Sequence, residues 1–81
     1  MNNYQLRKID QDFIVFARRH YEKPKHCKNL EQTRFYIDEL RSKIEEMKVA
    51  WDYVPEYAYT LLSEYNGIQN KILFEEFKNA Y

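Results

Sequence analysis

The chain has 81 residues, thirteen basic and thirteen acidic groups, fourteen aromatic residues, one glycine and one cysteine. That length holds one domain with one small core. A single glycine excludes a glycine-rich phosphate loop, and a single cysteine excludes both an internal disulfide framework and a zinc site built on cysteine pairs.

The longest apolar run, Phe13 to Ala17, is five residues, too short to cross a membrane. No apolar stretch near the start is followed by small residues, so no signal peptide is read. A soluble chain in a reducing, cytoplasmic setting is the expectation. An aromatic content of 17% at zero net charge favours collapse over disorder. The zero is a cancellation. Residues 1–28 carry seven basic and three acidic groups, a balance of +4; residues 29–81 carry six and ten, a balance of −4.

The chain reads as all-α, a long antiparallel helix hairpin followed by two shorter C-terminal helices. The first helix is predicted from about Asn3 to Tyr21. Leu6, Ile9, Phe13, Phe16 and His20 recur at spacings of three and four, which share one helical face. Lys23-Pro24 stops it, because proline cannot continue a helix and biases its predecessor to extended backbone. The second helix is predicted from a cap at Asn29, with Gln32 completing a capping box. Leu30, Thr33, Ile37, Leu40, Ile44, Met47 and Trp51 form its seam, with Thr33 the one weak member. Glu39 and Lys43 are placed for an i,i+4 ion pair. Phe35, Ser42 and Val49 make a thinner stripe on roughly the opposite face, so the helix is expected to be covered on two sides.

Asp52-Tyr53-Val54 reads as a link, and Pro55 fits the first turn of a third helix. Tyr57, Ala58, Leu61, Leu62 and Tyr65 are its apolar face. Asn66-Gly67 offers a left-handed stop. Ile68 to Tyr81 then reads as a fourth helix with Ile72, Leu73, Phe74, Phe77 and Tyr81 inward. A β-hairpin at Asn66-Gly67 is disfavoured because its flanks do not alternate. The near-heptad seams of helices 1 and 2 suit shallow crossing angles and self-association, so a homodimer through that seam is expected.

The segment from Arg18 to Lys28 holds five fixed cations, both histidines and the lone cysteine. Its plain reading is a solvated helix end, where cations favour the negative pole of the dipole. A second reading is a phosphate-binding patch for RNA or single-stranded nucleic acid, with Arg18, Arg19, Lys23, Lys25 and Lys28 on phosphates and Tyr21 stacking. A third is a metal or nucleophile site at His20, His26 and Cys27. It lacks further ligands, a base with an orienter, and an oxyanion hole, although a thiol among cations could have a lowered pKa. The adjacent carboxylates Asp38-Glu39, Glu45-Glu46 and Glu75-Glu76 point about 100° apart on a helix and read as wet faces. A helix-turn-helix around Gly67 fails because Glu75 and Glu76 oppose Lys71 and Lys78 on the would-be recognition helix.

Tyr4, Tyr53, Tyr59 and Tyr81 fall outside the seams or at ends and links. Tyrosine there offers contact area with a polar tip. The bias toward Lys, Asn, Tyr, Glu and Ile resembles that of small accessory proteins of AT-rich phages and mobile elements. The leading functional expectation is a non-enzymatic binding protein, of inhibitor or adaptor type, without cofactor or metal. It would dock on a protein partner through Phe35, Tyr53 and Tyr59, with Arg18, Arg19, Lys23 and Lys25 steering the approach. Nucleic-acid binding by the 18–28 segment is the alternative.

Overall fold

A computed structural model describes residues 1–79, which form three α-helices and one short 3-10 turn, with no strand among them. Helix α1 spans Asn3–His20, the 3-10 turn Pro24–His26, α2 Leu30–Trp51, and α3 Glu56–Asn79. The all-α class is as read from the sequence.

Helix α1 begins in a full capping box, which the sequence reading did not identify. The Asn2 side chain accepts from the Gln5 N–H at 2.9 Å, and the Gln5 side chain accepts from the Asn2 N–H at 3.0 Å. Helix α2 begins as expected with Asn29 accepting from the Gln32 N–H at 2.7 Å, but the Gln32 side chain reaches back to the Lys28 N–H instead of that of Asn29. Its end is closed by Asp52 in the left-handed region, φ 51°, where a side chain is mildly strained.

The largest departure from expectation is at Asn66-Gly67. No stop occurs there; α3 runs through it for 24 residues, and no glycine has positive φ. Ala58, Leu61, Tyr65, Ile68 and Ile72 recur at three and four, so a continuous helix keeps one stripe against the body. Glycine inside a helix costs about 1 kcal/mol. Partial burial of Ile68 and Ile72 outweighs it, since a fully buried aliphatic contributes about 1.5–3 kcal/mol. The third and fourth predicted helices are therefore one.

The core is Phe13 and Ala17 of α1, Cys27, then Ile37, Leu40, Ile44 and Met47 of α2, with Ala58, Leu61 and Tyr65 of α3. Helix α3 is the shared partner. It packs along α2 most extensively and also against the 3-10 turn and α1. The α2 seam from Thr33 to Met47 is thus buried against α3 of the same chain, while Trp51 at its end stays exposed. Thr33 tolerates full burial because its hydroxyl donates to the Asn29 carbonyl at 2.8 Å.

The molecule is long, 54 × 21 × 15 Å, with a radius of gyration of 14.8 Å. A compact chain of this length would have about 12 Å. The excess has a simple source. Tyr65 stacks on Tyr36 with ring centroids 5.8 Å apart, and α2 and α3 are antiparallel. The start of α2, six residues before Tyr36, is then level with about residue 71. The last eight or so described residues of α3 project past the body by about 12 Å.

Candidate binding surfaces

An aromatic chain joins the three helices at the end where α1 stops. Phe16 meets Tyr21 edge-on at 5.6 Å, Tyr21 meets Tyr36 at 6.1 Å, and Tyr36 stacks on Tyr65. The Tyr65 hydroxyl donates to the Glu22 carbonyl, which ties mid-α3 to the turn after α1. Burial pushes the Tyr65 hydroxyl up, with Cys27 and the neighbouring tyrosines adding to it. Burial likewise pushes Tyr21 up to about 12, assisted by the carboxylates of Glu39 and Glu46. Both hydroxyls stay protonated at ordinary pH.

Beside this cluster the end of α1, the 3-10 turn and α3 enclose a cleft of about 650 Å³. Arg18, Tyr21, Lys23 and Lys25 line it, together with Tyr57, apolar Ala17, Pro24 and Leu61, and the carboxylates Glu22 and Glu64. Four of the six residues read as a phosphate patch therefore share one concavity. Arg19 and Lys28 are exposed and do not line it. Glu22 is engaged locally: one carboxylate oxygen accepts from the Lys23 N–H at 2.9 Å and lies 3.5 Å from His26 Nδ1.

The thiol of Cys27 is not activated by its cationic neighbours. It is buried, with its sulfur 3.8 Å from the Lys23 carbonyl, and burial pushes its pKa up. The flanking cations are exposed and do not offset the desolvation of the sulfur, so the lowering open to a thiol among cations does not occur. His20 is exposed and sits over Phe16 at 4.5 Å, outside the core seam. No group of His, Cys, Asp or Glu among the described residues is arranged to hold a metal.

The three aromatics assigned to protein docking do not share a face. Phe35, 58% exposed, sits on the outer side of α2 near its start, and Tyr59 is exposed near the start of α3. Tyr53 lies half-buried between α2 and α3, and its hydroxyl donates to the Asp10 carboxylate at 2.7 Å. That bond, more than burial, pushes the Tyr53 pKa up. Tyr53 ties the link to α1. The thin stripe on α2 is exposed throughout, Val49 at 81%, and no element among the described residues covers it.

The apolar surface that stands out is the projecting end of α3. Leu73 is 39% exposed, Phe74 66% and Phe77 63%. They were expected inward; α2 starts only level with about residue 71, so it does not reach them. Tyr81, grouped with them in the sequence, lies outside the described residues. At the opposite end of the molecule α1 and α2 part. Ile9, Phe13, Phe16, Met47 and Trp51 line a cleft of about 260 Å³ there. It runs on into a second of about 420 Å³ that shares Ile9, Asp12 and Trp51 and adds Tyr4 and Lys8. Lys43 lies over the Phe16 ring at 4.7 Å and reaches Glu46 at 3.5 Å, in place of the expected pair with Glu39.

No known protein family, curated protein or solved structure matches the chain. No helix of the described residues is long and apolar enough to cross a membrane.

Proposed function

We propose that this is a small non-enzymatic binding protein, of inhibitor or adaptor type, which docks by the projecting end of α3. The observation that carries the reading is the exposure of Leu73, Phe74 and Phe77 on a helix that has left its own body. Contiguous exposed aromatics mark interaction surfaces, because each keeps large apolar area in water until a partner covers it. A helix presenting anchors three and four residues apart is a common ligand for an apolar groove. The setting we expect is cytoplasmic. The test is the double variant Leu73→Glu/Phe74→Glu. Both side chains are exposed, so helicity and thermal midpoint should hold while partner capture is lost. Unchanged capture removes the surface from the reading.

A second reading has its own observation, the gathering of Arg18, Tyr21, Lys23 and Lys25 around one cleft. Three cations beside two tyrosine rings fit one or two nucleotides of single-stranded RNA, phosphates on the cations and a base on a ring. With three phosphate contacts, log affinity should fall against log salt with a slope of about −2. A gel-shift titration at two salt concentrations checks it, and absent or salt-insensitive binding rejects it.

A further inference from the structure

We infer that Asn66-Gly67 is a self-modification site, where opening of α3 lets Asn66 lose ammonia and become aspartate or isoaspartate, and that the isoaspartate form ends α3 at that point. Gly67 is the one glycine of the chain, and the fold makes no use of it. Its backbone is helical, and a Cβ there meets nothing within 4 Å. In mid-helix it costs about 1 kcal/mol relative to alanine. What it supplies is a main-chain nitrogen that no side chain screens, directly after an asparagine amide.

The chemistry is internal to the dipeptide. The Gly67 main-chain nitrogen attacks the side-chain carbonyl carbon of Asn66. A C–N bond forms there, the bond to the side-chain NH2 breaks, and the Gly67 N–H proton departs with that group as ammonia. Water, the one co-reactant, then adds across either C–N bond of the cyclic imide. Opening one leaves aspartate at 66. Opening the other leaves isoaspartate, whose main chain runs through the β-carbon.

Helix geometry holds the reaction back. Within α3 the Gly67 N–H is directed at the Ser63 carbonyl, and the Asn66 side chain tilts toward the helix start, away from the nitrogen that follows it. The place of the dipeptide lets it open without the rest. Tyr65, just before it, is the last buried residue of the described part of α3. Beyond it Ile68 packs on the core but is only partly buried, as is Ile72, and Leu73, Phe74 and Phe77 are exposed. Melting α3 back from its end to Asn66 thus exposes no fully buried side chain and costs less than unfolding the core. Isoaspartate at 66 adds one atom to the main chain and breaks the i to i−4 register, so the helix past Tyr65 does not re-form across it. The released segment carries the docking surface proposed above, although the chemistry stands without that reading.

The test is mass spectrometry and peptide mapping of the full chain, held at mildly alkaline pH either folded or in urea. Conversion should fall at Asn66 ahead of the other asparagines, and about ten- to a hundredfold more slowly in the folded chain. Equal rates, or no conversion of the folded chain, overturn the inference. Ile72→Gly weakens α3 only beyond the site and should quicken conversion about fivefold, while Tyr65→Phe, which weakens the core, should leave it unchanged. The reverse pattern means opening by whole-chain unfolding and overturns the local gate. The isoaspartate form, separated by chromatography, should lose hydrogen-exchange protection over residues 66–79 and keep it elsewhere, whereas Asn66→Asp keeps α3 whole. Isoaspartate chains with α3 still protected overturn the second half. None of these readouts involves a partner, so failure of the docking reading is seen separately, in capture by Leu73→Glu/Phe74→Glu.

Discussion

Tyr65 shows at the level of one residue how this small core is fastened. Its ring is fully buried against Tyr36, and its hydroxyl satisfies the Glu22 carbonyl at the turn after α1. Removing only the hydroxyl, in Tyr65→Phe, should lower stability by about 1–2 kcal/mol, readable by urea unfolding. The buried tyrosines also set an alkaline limit. The folded state raises Tyr21 from 10.0 to about 12 and raises Tyr65 as well, so it holds protons that the unfolded chain releases. Their contribution is whole below pH 10 and is lost as pH climbs through the raised values. The thermal midpoint should be level from pH 7 to about 9, then fall between about 10 and 12, less steeply in Tyr65→Phe. Tyr53 is a different case. Because its hydroxyl is engaged with Asp10, Tyr53→Phe should lower the thermal midpoint without altering partner binding. A loss of binding at unchanged stability would return Tyr53 to the docking surface.

Helix α3 carries the lesson at the level of elements. The stop at Asn66-Gly67 was inferred from local turn chemistry, whereas the stripe Ala58, Leu61, Tyr65, Ile68 and Ile72 was present in the same residues and crosses it. Long-range packing of that stripe decides, and packing is not written in a dipeptide. Gly67→Ala tests this. A Cβ there meets nothing within 4 Å, and the backbone is helical. The substitution should stabilise by about 1 kcal/mol, whereas a left-handed stop would make it destabilising. The remaining elements were legible. The α1 and α2 periodicities, the cap at Asn29 and the break at Lys23-Pro24 all depend on neighbours in sequence. The choice of pairs was not. The seams of α1 and α2 match each other well enough on paper, but both meet α3, and α1 and α2 part to leave a groove. Of the candidate sites, the basic cluster was legible because its members lie within eight residues. The exposed end of α3 was not, since its exposure follows from where another helix begins.

The whole molecule is a rod with unlike ends. Its length comes from α3 outrunning α2, and the same overhang puts apolar side chains into water. The +4 and −4 halves of the sequence have a spatial counterpart. Arg7, Lys8, Arg18 and Arg19 of α1 and Asp38, Glu39, Glu45 and Glu46 of α2 are all exposed. Hydrogen exchange of the full chain tests the continuous, overhanging α3 most directly. Helix α3 should be well protected through Gly67 and weakly protected from about residue 72. Protection that is lost already at Asn66-Gly67, or that stays as high through residues 72–79 as at Tyr65, would contradict the account.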